Sequence, residues 1–103
     1  AVEALLGKLK HAVLFESDYR DNEEIIRALG EIGDVRAIPE LERIAKGGWP
    51  LFPKSRNRMK AALFESLGRY PRPALAGLLA VGAGSGDPRI LRACAKLKGT
   101  KTS

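Results

Sequence analysis

In the stretch "NEEIIRALGEI", residues 22–32, the apolar positions 25, 26, 28, 29 and 32 share the i, i+3, i+4, i+7 spacing of one helical face. The spacing predicts a helix over 22–32. Asn22 reads as its N-cap, with Glu23 and Glu24 placing negative charge at the positive end of the helix dipole. Gly33 can take the left-handed conformation that ends a helix. Ile38, Leu41, Ile44 and Ala45 then make a second apolar stripe in "AIPELERIAK". Pro39 fits the first turn of that second helix, where its missing N–H leaves no hydrogen bond unmade. Two antiparallel helices joined by a tight turn are the expected unit.

The unit recurs. In "NRMKAALFESLGRYPRPALAGLLAV" the first helix repeats at an offset of 35, matching Asn22 to Asn57, Leu29 to Phe64, Ile32 to Leu67 and Gly33 to Gly68. The second repeats at an offset of 34, matching Leu41 to Leu75, Ile44 to Leu78 and Ala45 to Leu79. Upstream, Val2, Leu5, Leu6 and Leu9 line one face of "AVEALLGKLK", which matches a second helix whose partner lies further upstream. Downstream, "GDPRILRACAKLKG" opens another helix, with Asp87 as N-cap and Pro88 at the first helical position. A period near 35 residues, each unit a helix pair, predicts an all-α, right-handed α-solenoid of stacked antiparallel helix pairs, about 2.5–3 repeats in length. The expected parts are 1–10, the second helix of a partial repeat, full repeats at 22–46 and 57–83, and an opening helix at 87–98.

The segments between units, 11–21 and 47–56, each carry a Leu-Phe pair, Leu14-Phe15 and Leu51-Phe52. Each pair is expected to tuck an aromatic anchor between helices. Gly47, Gly48, Pro50 and Pro53 argue that 47–56 is not regular helix. The polar end "KGTKTS" is expected to fray.

These residues carry a family likeness. "RALGEIGDVRAIPELERI" resembles the HEAT repeat, in the variety found in phycobilisome-lyase-like proteins: a small apolar helix ending Leu-Gly-x-Ile-Gly-Asp, a short turn with Ala-Ile/Leu-Pro, then a Leu-rich second helix. Residues 25–46 match well. Residues 58–81 match more loosely through Arg58, Ala61, Ala62, Leu67 and Gly68, and 87–99 fit an opening helix with Arg92 at the family's basic position. The resemblance implies a scaffold for protein partners. Some relatives bind nucleic acid, and a few assist chromophore attachment, a third reading that rests on analogy alone.

Composition leaves this picture in place. The chain has 103 residues, 45% hydrophobic and 6% aromatic, so leucine and alanine supply the core, which favours helix over sheet. No apolar run approaches the roughly 18 residues that span a bilayer, and the first residues lack the zones of a signal peptide. With one cysteine, Cys94, and no internal disulfide to form, the default expectation is a soluble cytoplasmic chain. The missing initiator Met and the start inside an apolar pattern suggest a segment of a longer protein.

Charge adds the one lopsided feature. Residues 1–45 set six bases against ten acids, a net of −4, while 46–103 set twelve bases against Glu65 and Asp87, a net of +10. The basic half includes "WPLFPKSRNRMK", where Lys54, Arg56, Arg58 and Lys60 stand beside Trp49 and Phe52 in a loop running into a helix N-terminus. Backbone donors, helix dipole and four cations favour an anion there. The bland reading has the aromatics buried as staples and the cations solvated. Arg69 and Arg72 flank the next turn, on what helix-pair stacks make the opposite edge.

Enzymatic readings find no support. His11 and Cys94 are the only residues of their kinds and lie at opposite ends of the chain, so no nucleophile–base pair can be assembled locally. Cys94 in "RACAK" reads as a small core residue, and His11 as a cap or surface group rather than a metal ligand. Glu23 with Glu24, and Glu40 with Glu42, do not share a helix face. "GAGSGD" lacks the lysine of a phosphate-binding loop and reads as a turn. The expectation is therefore a non-enzymatic scaffold with no cofactor or metal, binding a protein partner or the remainder of its own chain. The second-helix surface, Glu42, Arg43 and Lys46 in one unit and the nearly uncharged "ALAGLLAVGAG" in the next, would carry the contact, and a homodimer through that apolar stripe is also open. The alternative is an anionic partner, whether nucleic acid, nucleotide or acidic protein, held by residues 46–72, with Trp49, Lys54, Arg56, Arg58, Lys60, Arg69 and Arg72 as the candidate contacts. No membrane association is expected.

Overall fold

The computed structural model describes residues 2–10, 15–47 and 51–97. Among these the protein is all-α, with helices α1 (Val2–Lys8), α2 (Glu16–Ile32), α3 (Ile38–Lys46), α4 (Pro53–Glu65), α5 (Ala76–Ala83) and α6 (Pro88–Leu97). Short 3-10 turns at Val35–Ala37 and Arg72–Leu75 lead into α3 and α5. α2 packs on α1 and α4, α4 on α6, and α3 on α5. Glu16 on α2 accepts a hydrogen bond from Ser55 near the start of α4, and Gly30 of α2 lies against Ser66 at the end of α4, so the two helices run parallel. The apolar positions of all six helices meet in one core, with Leu29, Ile44, Met59, Leu63, Leu67, Leu75 and Leu78 fully buried.

The first corner forms as its sequence dictates. Gly33 takes φ 72°, and its N–H donates to Leu29 O at 2.9 Å. Asp34 caps the 3-10 turn by accepting from the Arg36 N–H at 2.9 Å, and its carboxylate also receives the Arg36 guanidinium. That guanidinium holds the Asp34 carboxyl below its usual range. The same arginine pairs with Glu3, which ties α1 to the corner. Pro39 lies in the first turn of α3.

Two helix starts differ from the sequence reading. α2 begins at Glu16, six residues before Asn22, because Asp18 reaches back to accept the Phe15 N–H at 3.0 Å and supplies the cap itself. Asn22 is therefore not an N-cap. It is fully buried inside α2, its amide oxygen accepting from Lys10 N at 2.8 Å and its nitrogen donating to Lys10 O at 2.9 Å. α4 begins at Pro53, so 53–56 is regular helix and Asn57, the repeat's counterpart of Asn22, is an exposed interior position. Pro53 suits that start, since its fixed φ fits the first turn.

The Leu-Phe pairs also behave differently from expectation. Phe15 is 67% exposed and anchors nothing, while Leu14 lies outside the described residues. The aromatic buried beside these segments is Tyr19, whose hydroxyl donates to Leu51 O at 2.6 Å and whose ring meets Phe52 edge-on at 6.5 Å. Phe52 itself remains 39% exposed and takes φ 52°, a left-handed conformation costing a non-glycine residue about 1–2 kcal/mol.

The second corner is not a copy of the first. Gly68 has no positive φ. Ser66 instead ends α4, donating its hydroxyl to Ala62 O at 2.7 Å, and Tyr70 fills the corner with its hydroxyl donating to Leu29 O at 3.0 Å. Burial pushes the Tyr70 phenol up to about 12, with the Asp34 charge adding to it, and burial also raises Tyr19. These are the chain's two tyrosines. A phenol raised above its ordinary value near 10 contributes stability that is intact below that pH and lost as pH rises through the folded value. Phenolate absorbance should therefore appear late and together with loss of helical circular dichroism. Ionisation of both tyrosines near pH 10 with helicity intact would contradict their burial.

Candidate functional site

The cations of the basic segment do not share one face. Lys60 is half-buried and donates its ammonium to Gly47 O at 2.9 Å, and burial, aided by nearby Arg56, lowers its pKa. It is a strut between α4 and the end of α3. Arg56 donates to Asn57 Oδ1 at 3.2 Å. Lys54 is exposed. Arg58 lines a groove of about 330 Å³ between α2 and α4 with Arg20, opposite Glu16 and Glu23, so charge there is close to balanced. Trp49 lies outside the described residues, as does His11.

Arg69 and Arg72 fall at the other end of α4. Arg69 lines a groove of about 340 Å³ with Arg27, Glu31, Glu65 and Gly68. Glu65 and Gly68 continue into a larger groove of about 470 Å³ between α4 and α6, where Arg72 meets Arg89, Arg92 and Lys96 over a floor that includes Phe64, Ala93 and Leu97. Among the described residues of the sequence-derived set, Arg72 alone lines this groove. Arg89, Arg92 and Lys96 were not among the candidates, although their i, i+3, i+7 spacing on a predicted helix marks a single basic stripe.

Local structure positions each of them. Asp87 caps α6 by accepting the Arg89 N–H at 2.9 Å, which sets the phase of that stripe. Arg89 is neutralised: Nε and a terminal nitrogen donate to the two oxygens of Glu65 at 3.1 and 2.8 Å, and this pairing raises its pKa. One terminal nitrogen of Arg72 donates to Gly68 O at 3.1 Å and, more loosely, to Tyr70 O at 3.4 Å, fixing the guanidinium on the corner backbone. Among the described residues none of Arg72, Arg92 and Lys96 has a carboxylate partner. Arg92 and Lys96 stand one helical turn apart with like charge, an arrangement that costs a few tenths of a kcal/mol.

The remaining candidate features have structural roles. Glu40 and Glu42 pair with Arg43 at 3.5 Å and Lys46 at 3.7 Å along α3. Glu23 pairs with Arg27 at 3.1 Å. Cys94 is buried in the core against the place where Gly82 passes, and 84–87 form the turn between α5 and α6. The uncharged α5 buries Leu78 and Gly82 and exposes mainly small residues, with the Glu42 side chain lying over Gly77. A groove of about 560 Å³ between α1 and α2 has an apolar centre of Leu5, Ile25 and Ala28, and its rim balances Lys8 and Lys10 against Asp21 and Glu24. Among the described residues no three metal-ligating side chains converge, and no helix is long and apolar enough to cross a membrane.

The groove between α4 and α6 is thus the place where unpaired charge, a backbone-fixed guanidinium and an apolar floor coincide. Comparisons with protein families, with curated proteins and with solved structures returned no match to this chain.

Proposed function

We propose that the chain is a non-enzymatic, HEAT-like scaffold, a right-handed stack of antiparallel helix pairs that holds a protein partner on the outer side of α2, α4 and α6. The observation that carries the reading is the trio Arg72, Arg92 and Lys96, left without carboxylate partners in a groove continuous with its neighbour between α2 and α4. A stack of this kind supports the reading because parallel first helices leave a furrow between each successive pair. The corners support it too, since Gly33 of the first lies against Arg69 of the second. The proposed contact is the α4–α6 groove, in place of the second-helix surface expected for a protein partner and of residues 46–72 expected for an anionic one.

Nucleic acid fits less well. A phosphate backbone gains affinity from every cation along its track and loses it at each carboxylate, and Glu31 and Glu65 line these grooves. The experiment is affinity capture from nuclease-treated extract, comparing the wild type with the Arg72→Ala/Arg92→Ala/Lys96→Ala variant. A discrete protein retained by the wild type and lost by the variant is the expected result. Capture that vanishes with nuclease treatment would point to nucleic acid instead.

A further inference from the structure

We propose that the α4–α6 groove takes an acidic, amphipathic segment of the partner protein, carboxylates to its rim and apolar side chains to its floor. The inference rests on the scaffold reading and names the chemistry of what the scaffold holds.

The rim is cationic by construction. Glu65 consumes Arg89 through a two-point contact, which leaves Arg72, Arg92 and Lys96 as the free positive charge. Arg72 is held on Gly68 O and Tyr70 O through one nitrogen, so a ligand that pairs with its other terminal nitrogen or Nε finds a guanidinium with little freedom left to lose. Arg92 and Lys96 repel each other across one turn of α6, and a carboxylate set between them relieves that repulsion. The floor is a different material: Phe64, Ala93 and Leu97, each at most 7% exposed, line it with carbon alone. A bare polyanion meets the rim and leaves the floor wet, while an apolar segment meets the floor and leaves three cations desolvated without partners. A segment carrying both kinds of side chain meets both. A groove of about 470 Å³ is the size of an ordinary small-molecule pocket, room for a few side chains of a docked segment.

Fluorescence anisotropy at physiological salt tests this with three labelled probes: a Leu/Glu peptide with leucines at i, i+3, i+4 and i+7, a polyglutamate of equal charge, and an oligothymidylate of equal charge. The Leu/Glu peptide should bind at least about tenfold tighter than either of the others, and Arg72→Ala/Arg92→Ala should weaken it about 30-fold or more. Arg92→Glu should abolish binding while leaving the melting temperature equal or higher, since it removes the like-charge pair. Equal binding of the oligothymidylate, or binding unchanged in the double variant, overturns the inference. So does concentration-dependent self-association in sedimentation that the double variant loses, because the occupant is then a second copy. If the Leu/Glu peptide fails to bind while a partner protein is still captured by the wild type and lost by the triple variant, the acidic amphipathic chemistry falls and the scaffold reading stands.

Discussion

Gly30→Ala is expected to destabilise the protein by about 2–3 kcal/mol, a fall in melting temperature of roughly 10–20 °C for a domain of this size. An added Cβ at Gly30 would stand 2.5 Å from Ser66 O and 2.7 Å from Ser66 Cβ. Neither neighbour is the loose end of a flexible side chain. The α2–α4 contact must therefore open by most of an ångström, and the core beneath it, Leu29 and Leu63 included, opens with it. The alanine regains up to about 1 kcal/mol of helix propensity, which the estimate already subtracts. Two glycines serve as controls. Gly7 in α1 has nothing within 4 Å of an added Cβ, so Gly7→Ala should be neutral or stabilising. Gly68 is equally open and has no positive φ, so Gly68→Ala should cost little. Gly33→Ala, at the position the sequence pairs with Gly68, should cost far more, because Gly33 combines φ 72° with a Cβ position 2.9 Å from Arg69 O. Thermal unfolding of the four variants gives the order directly. A neutral Gly30→Ala would mean that α2 and α4 are not packed this closely, and the groove between them would lose its definition.

That contrast between Gly33 and Gly68 shows what a sequence can and cannot reveal. The first corner was legible because its signals are local: a glycine that must reach positive φ, an aspartate that caps, a proline that suits a first turn. The start of α6 at Asp87 and Pro88 was legible for the same reason. The starts of α2 and α4 were not, since "ESDYRD" has Tyr19 as its one apolar residue and "PKSRNR" has none after Pro53, too few to show an apolar stripe. Asn22 was misread because cap preference is a statement about isolated helix ends. A buried asparagine that binds the backbone of a neighbouring segment looks the same in one dimension. The groove was half legible. The stripe of Arg89, Arg92 and Lys96 could be seen in the spacing. Its meeting with Arg72, and the cancellation of Arg89 by Glu65 across 24 residues, depend on how α6 crosses α4.

Asn22→Leu should remove about 2–3 kcal/mol, with the damage concentrated at α1. The replacement is close in volume and the position is fully buried, so packing changes little. What goes is the pair of hydrogen bonds that clamps both the N–H and the C=O of Lys10, at 2.8 and 2.9 Å, and with them the closure between α1 and α2. The weak contact from Asn22 to Met59 Sδ at 3.7 Å goes as well. Lys10 is only partly buried, so water recovers a fraction of the loss. The ion pairs from the exposed Lys10 ammonium to the buried Asp18 and the exposed Asp21 remain, but with one partner in water they contribute little. Amide exchange should therefore accelerate first in α1, ahead of α2 and α4. Asn22→Asp separates the hydrogen-bond account from a packing account. A carboxylate there can still accept from Lys10 N but confronts Lys10 O acceptor to acceptor, and burial disfavours its charge, so its folded pKa must rise. A raised carboxyl pKa gives stability that is present at acid pH and lost as pH rises through the folded value. The deficit of Asn22→Asp relative to wild type should thus be smaller near pH 4 than at pH 7, while that of Asn22→Leu stays constant. Equal deficits at both pH values, or an unchanged Asn22→Leu variant, would remove Asn22 from its role as the clamp that holds α1 to the rest of the protein.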